Sequence, residues 1–153
     1  MKMTVGQLLE SKGRSVWTVS PDATVFEALK IMSDRDVGAL VVVDGEQICG
    51  IFSERDYARK VILKDRFSKE TRVEEIMTSK VLAVSPSETM KEAMALMTQG
   101  RSRHLPVIEY DRLAGIISIG DADVATTVDI HAECQRQFLI AFITEVTDES
   151  CRG

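Results

Sequence analysis

The chain has 153 residues, room for one domain or two very small ones. Its 44% hydrophobic and 28% charged content excludes a disordered or collagen-like chain. Nineteen basic against 24 acidic residues leave a net charge of −5, the wrong sign for a protein living on duplex DNA or an anionic membrane.

The N-terminal residues Met1-Lys2-Met3-Thr4-Val5-Gly6 carry neither the apolar core nor the cleavage site of a secretory signal. Residues 5–12 then read Val5-x-x-Leu8-Leu9-x-Ser11-Lys12. A short strand ends at Ser20-Pro21, because the residue before proline is pushed out of the helical region. Thr24-x-x-Glu27 is a capping box, and the helix it opens puts Val25, Ala28, Leu29 and Met32 on one face. An apolar strand over 39–43, a turn at Asp44-Gly45-Glu46 and a second strand over 48–52 follow, with a helix beginning near Glu54.

After a polar linker the same order returns. Ser85-Pro86 ends a strand, Thr89-x-x-Glu92 caps a helix carrying Met90, Ala93, Met94 and Met97, and strands 105–108 and 113–117 flank Tyr110-Asp111-Arg112. A last helix begins near Ile119. Residues 16–62 align with 81–127 without a gap, and fourteen of those 47 positions are identical. They include Ser20/Ser85, Pro21/Pro86, Thr24/Thr89, Glu27/Glu92, Gly50/Gly115, Ser53/Ser118 and Asp56/Asp121. The segment 5–12 also resembles Val73-x-x-Ile76-Met77-x-Ser79-Lys80, at a slightly different offset. One repeat is too small for a secure core, so the two are expected to stack their apolar faces.

Each repeat closes on glycine-apolar-x-Ser-x-x-Asp, at Gly50–Asp56 and Gly115–Asp121. The bland reading is helix capping, with serine at the N-cap and a carboxylate in the first turn. The functional reading is a nucleotide clamp, with helix amides and the hydroxyl for a phosphate and the carboxylate for a ribose. The tandem repeat with this closing motif resembles a pair of CBS domains, a Bateman module, of the small stand-alone bacterial type.

That resemblance implies an α+β fold of two β-α-β-β-α repeats packed with pseudo-twofold symmetry. The first repeat would span 5–64, a linker 65–72, the second repeat 73–127, and a C-terminal helical tail 128–153. It also implies an adenine nucleotide or NAD-like ligand in clefts between the repeats. In the first cleft Ser53 and Asp56 would meet phosphate and ribose, with the adenine against Val81 and Leu82 beside Ser102, Arg103 and His104. In the second, Ser118 and Asp121 would serve the ribose, and Val16, Trp17, Val37, Gly38 and Ala39 would line the adenine pocket. Arg55 and Arg101 are further phosphate candidates, and Arg101, Arg103 and His104 supply up to three cations where the second cleft has Asp36, Gly38 and Ala39. Phosphate is therefore expected to prefer the first cleft. Arg59 and Lys60 add to the basic cluster beside Asp56.

Catalytic and metal centres are not expected. Cys49, Cys134 and Cys151 form no C-x-x-C pair, His104 and His131 have no partners at ligand spacing, and no Walker loop or nucleophile elbow is present. No apolar run approaches the ~18 residues of a membrane span, and cytoplasmic residence is the simplest expectation. In the tail, residues 129–146 are expected to form a helix whose apolar stretch 138–143 packs on its own module or across a homodimer. The expected role is a sensor that binds AMP, ADP, ATP, NAD or S-adenosylmethionine and passes its state to an unidentified client protein. The alternative is a ligand-independent assembly module in which Asp56 and Asp121 only cap helices.

Overall fold

A computed structural model describes residues 2–122. The expected tail helix over 129–146 lies outside the described residues. Helix α1 (Val5–Lys12) is followed by strand β1 (Thr18–Val19), helix α2 (Val25–Arg35), strands β2 (Ala39–Asp44) and β3 (Gln47–Ser53), and helix α3 (Glu54–Lys60). A 3-10 turn (Ile62–Lys64) leads to the one-turn helix α4 (Val73–Ile76). Helix α5 (Met90–Gly100) and strands β4 (His104–Glu109) and β5 (Arg112–Ser118) repeat the pattern, and a helical turn at 119–122 ends the described chain.

Both expected capping boxes form. Thr24 Oγ1 accepts from Glu27 N and the Glu27 carboxylate accepts from Thr24 N; Thr89 and Glu92 do the same. Each such cap is worth about 1 kcal/mol of helix stability. Both long helices end in the left-handed conformation at equivalent positions, Asp36 (φ 53°) and Arg101 (φ 49°). The hairpins β2–β3 and β4–β5 are antiparallel, and each carries a register shift at the same place, opposite Cys49 and Ala114.

The repeats differ in one strand. In the first, β1 pairs parallel with β2 and makes a three-stranded sheet, while the second has only a single bridge, Val84 with Val107. The cause is one residue. Val41 N donates to Trp17 O in the first repeat, and the aligned pair in the second is Pro106 and Leu82. Proline has no N–H to give, so the ladder loses that bond.

The two cores are closed by exchanged segments. The buried Val5, Leu8 and Leu9 of α1 belong to the cluster of Val84, Met90, Leu105, Val107 and Ile117 in the second repeat. The buried Val73 and Ile76 of α4 belong to the cluster of Val25, Leu40, Val42 and Phe52 in the first. Backbone bonds tie down both segments: Val5 N to Glu88 O and Gly6 N to Pro86 O on one side, Val73 N to Ala23 O and Val25 N to Thr71 O on the other.

The close crossings explain the glycine of each closing motif. A Cβ on Gly50 would lie 2.8 Å from Met77 Sδ and 2.8 Å from Thr78 O; one on Gly115 would lie 2.8 Å from Leu9 Cδ2. Thr78 O is backbone, bonded in turn to Ile51 N at 3.0 Å, whereas Leu9 can rotate. Gly50→Ala is therefore expected to cost about 1–3 kcal/mol, and Gly115→Ala less. Urea midpoints of the two variants, at unchanged m-value, check the order.

Candidate functional site

Both closing motifs fold as capping boxes at helix N-termini, so site and cap are built from the same atoms. Ser53 N and Ser53 Oγ donate to Asp56 Oδ2, both at 3.0 Å, and Asp56 N donates to Ser53 Oγ at 3.2 Å. Ser118 N and Oγ donate to Asp121 Oδ2 at 2.8 and 3.1 Å, and Asp121 N returns a 3.3 Å bond.

The remaining partners of the two carboxylates differ. Asp56 is only 9% exposed; its Oδ1 accepts from Thr78 Oγ1 at 3.2 Å and forms an ion pair with Lys60 Nζ at 2.9 Å, while Lys60 Nζ donates to Ile76 O at 3.0 Å. A carboxylate has about four acceptor positions, and all of those on Asp56 are engaged. Among the described residues Asp121 is held through Oδ2 alone, which also takes Lys12 Nζ at 2.6 Å, while Lys12 makes a second bond to Ile116 O at 2.9 Å. Burial pushes the Asp121 carboxyl up, but the bonds from Lys12 and Ser118 and the Lys12 charge outweigh it and hold it below the ordinary aspartate value.

Two clefts open beside these motifs. The first, of about 570 Å³, is lined from both repeats and collects Ser53, Arg55, Asp56, Val81, Leu82, Arg101, Ser102, Arg103 and His104. All the residues expected in the first cleft are thus brought together. The second, of about 240 Å³, collects Trp17, Val37, Gly38, Ala39, Ser118 and Asp121. Val16 stands outside its lining, although its neighbours Ser15 and Trp17 both belong to it. Arg35 stacks on the Trp17 ring at 3.9 Å.

The clefts share a wall made of Gly38, Ser118 and His104. Burial lowers the His104 pKa; the charges of Lys12 and Arg103 add to that, and those of Asp121 and Asp56 oppose it. Burial thus works against a charged imidazole at a position the sequence suggests as a third cation. Ser102 Oγ is spent within the loop, donating to His104 O at 2.7 Å.

Lys12, Thr78 and Lys80 were not singled out from the sequence as site residues, yet all three line a cleft. The signal lay in the pairing of Ser11-Lys12 with Ser79-Lys80, which gives each cleft an equivalent lysine from the segment preceding a repeat. Among the described residues no cluster of His, Cys, Asp and Glu could hold a metal ion, and no helix is long and apolar enough to cross a membrane.

Lys12→Met is expected to destabilise the fold by up to about 1 kcal/mol at pH 7. A depressed carboxyl contributes stability above its unfolded value and loses it as pH falls through its folded value. The gap between wild type and variant should hold down to ordinary carboxylate pKa values and then narrow; thermal melts from pH 7 to pH 3 measure it.

The CBS domain family profile matches residues 8–63 and 73–123. The mitochondrial CBS domain-containing protein CBSX3 of Arabidopsis thaliana is 43% identical over 143 residues, covering 87% of this chain and 69% of that protein. Among solved structures, a CBS-domain protein from Burkholderia ambifaria is 52% identical with a TM-score of 0.79, covering 83% of this chain and 96% of that one. The CBS domain pair of protein MJ0100, solved with 5′-methylthioadenosine and S-adenosyl-L-methionine, has a TM-score of 0.74 at 23% identity over 84% of this chain and 99% of that one, a similarity of fold.

Proposed function

The chain belongs to the CBS-domain family, and on that premise we propose that it is a regulatory module whose clefts take an adenosine-containing nucleotide and pass its presence to a partner protein. The observation that carries this reading is the first cleft: its walls come from both repeats, so a ligand in it touches both and favours one relative arrangement. The adenine lies against Val81 and Leu82, and the phosphates face Arg55, Arg101 and Arg103. The fold relative that holds two adenosyl compounds lends the ligand class support.

Binding of a ribose at Asp56 requires a handover. Its hydroxyls take Oδ1 from Lys60, whose half-exposed ammonium keeps its 3.0 Å bond to Ile76 O. At Asp121 no handover is needed at Oδ1, and Trp17 and Val37 offer the base an apolar wall. The saturation of Asp56 favours a second reading, a ligand-independent interaction module in which this carboxylate only secures α3 and Thr78.

A thermal-shift panel of AMP, ADP, ATP, NAD and S-adenosylmethionine on wild type, Asp56→Asn and Asp121→Asn separates the two. A ligand at 100 times its Kd adds ~2.7 kcal/mol, a rise of about 5–11 °C for a chain of this size. The sensor reading expects at least one such rise, reduced in the variant of the occupied cleft when each is compared with its own unliganded melt. No rise with any of the five leaves the interaction module.

A further inference from the structure

The first cleft holds more positive charge than the described residues neutralise. Lys60 is paired with Asp56, but Arg55, Arg59, Lys80, Arg101 and Arg103 also line this cleft, and none of these five takes part in an ion pair among the described residues. They come from three places: Arg55 and Arg59 from α3, Lys80 from the segment after α4, Arg101 and Arg103 from the loop after α5. The cations crowd one another. The Arg55 guanidinium is pushed below its ordinary value by the charge of Arg59 first, then by partial loss of water, then by Arg103 across the repeat boundary. Opposing carboxylates at the cleft are Glu54 and Asp56. Asp56 is already saturated, and Glu54 Oε2 lies toward Gly38, 3.7 Å from where a Cβ on that glycine would stand.

The second cleft is built the other way. Its lysine, Lys12, is spent on Asp121, and Asp36 adds a negative charge. The clefts are therefore chemically unlike, despite the repeat that generates them.

We infer that the first cleft is a polyphosphate site, in which a chain of linked phosphates lies between the arginines of α3 and those following α5 and is bound by charge rather than by a ribose. Linked phosphates supply several anionic oxygens along one molecule, matching cations that three chain segments present to one cleft. Neutralising the Arg55, Arg59 and Arg103 repulsion draws the two repeats together. The inference goes beyond the nucleotide reading, since its probe carries no adenosine: the chain of phosphates is either free polyphosphate or the tail of a nucleoside triphosphate.

The test is a thermal-shift and titration series with phosphate, pyrophosphate, tripolyphosphate, adenosine, AMP and ATP, on wild type and on the double variant Arg55→Gln/Arg103→Gln. Wild-type affinity should rise from phosphate through pyrophosphate to tripolyphosphate, exceed that for AMP with ATP, and weaken with added NaCl. The double variant should bind tripolyphosphate about 100-fold more weakly, roughly tenfold for each guanidinium removed. Its unliganded melting temperature should equal or exceed wild type, because repulsion is relieved, which keeps lost binding distinct from lost folding. Equal binding of ATP and tripolyphosphate identifies free polyphosphate as sufficient, and a tighter ATP adds the nucleoside; both support the site. Tripolyphosphate binding with no response to adenosine or AMP supports it while removing the adenosine reading. The inference is overturned if AMP and ATP bind equally and tripolyphosphate does not, in which case the nucleotide reading survives. It is equally overturned if the double variant binds tripolyphosphate as wild type does, or if no compound binds.

Discussion

Neither repeat closes its own core. The helix that opens the first repeat packs its Val5, Leu8 and Leu9 into the second, and the short helix that opens the second packs Val73 and Ile76 into the first. Each repeat alone buries too little apolar surface to offset its conformational entropy. The exchange supplies the missing wall and at the same time fastens the repeats together. It also fixes the chemistry, because the exchanged segments continue straight into the clefts: Lys12 ends α1 beside Asp121, and Thr78 and Lys80 follow α4 beside Asp56 and the arginines. The close crossing is possible only because a glycine stands in each second hairpin strand.

The Ser-x-x-Asp motifs serve two purposes through one geometry. Capping leaves the serine hydroxyl and carboxylate at a helix N-terminus, where the unpaired amides also favour an anion. What separates the two copies is the spare acceptor capacity of the carboxylate. Among the described residues Asp56 accepts three hydrogen bonds and pairs with Lys60, using both oxygens, whereas Asp121 accepts only on Oδ2. One repeat has thereby turned its carboxylate inward, as a tie between α3 and the chain after α4. The other leaves Oδ1 without a partner among the described residues.

The local elements were legible residue by residue. Ser-Pro, the Thr-x-x-Glu boxes, the apolar runs at 39–43 and 105–108, and the register of one repeat on the other all follow from short-range stereochemistry, and they hold in the structure. Much of the membership of both clefts was legible as well, through resemblance to a family with the same closing motif; Val16 falls outside the lining, and Lys12, Thr78 and Lys80 were missed. The loss of a strand at Val84 was also written in the chain, in Pro106 opposite a position that must donate, but it shows only once the two copies are laid side by side.

By itself, then, the sequence determined the repeat, its helices and hairpins, the caps, and the excess of cations beside the first motif, because each depends on residues close in the chain or on matching positions in two copies. Tertiary structure decided which core each helix enters, which lysine neutralises which aspartate, and that burial in the wall between the clefts lowers the His104 pKa. Those outcomes depend on contacts between residues as far apart as Lys12 and Asp121 and on the water excluded around them. Neither distance in space nor dielectric surroundings can be read from neighbours along a chain.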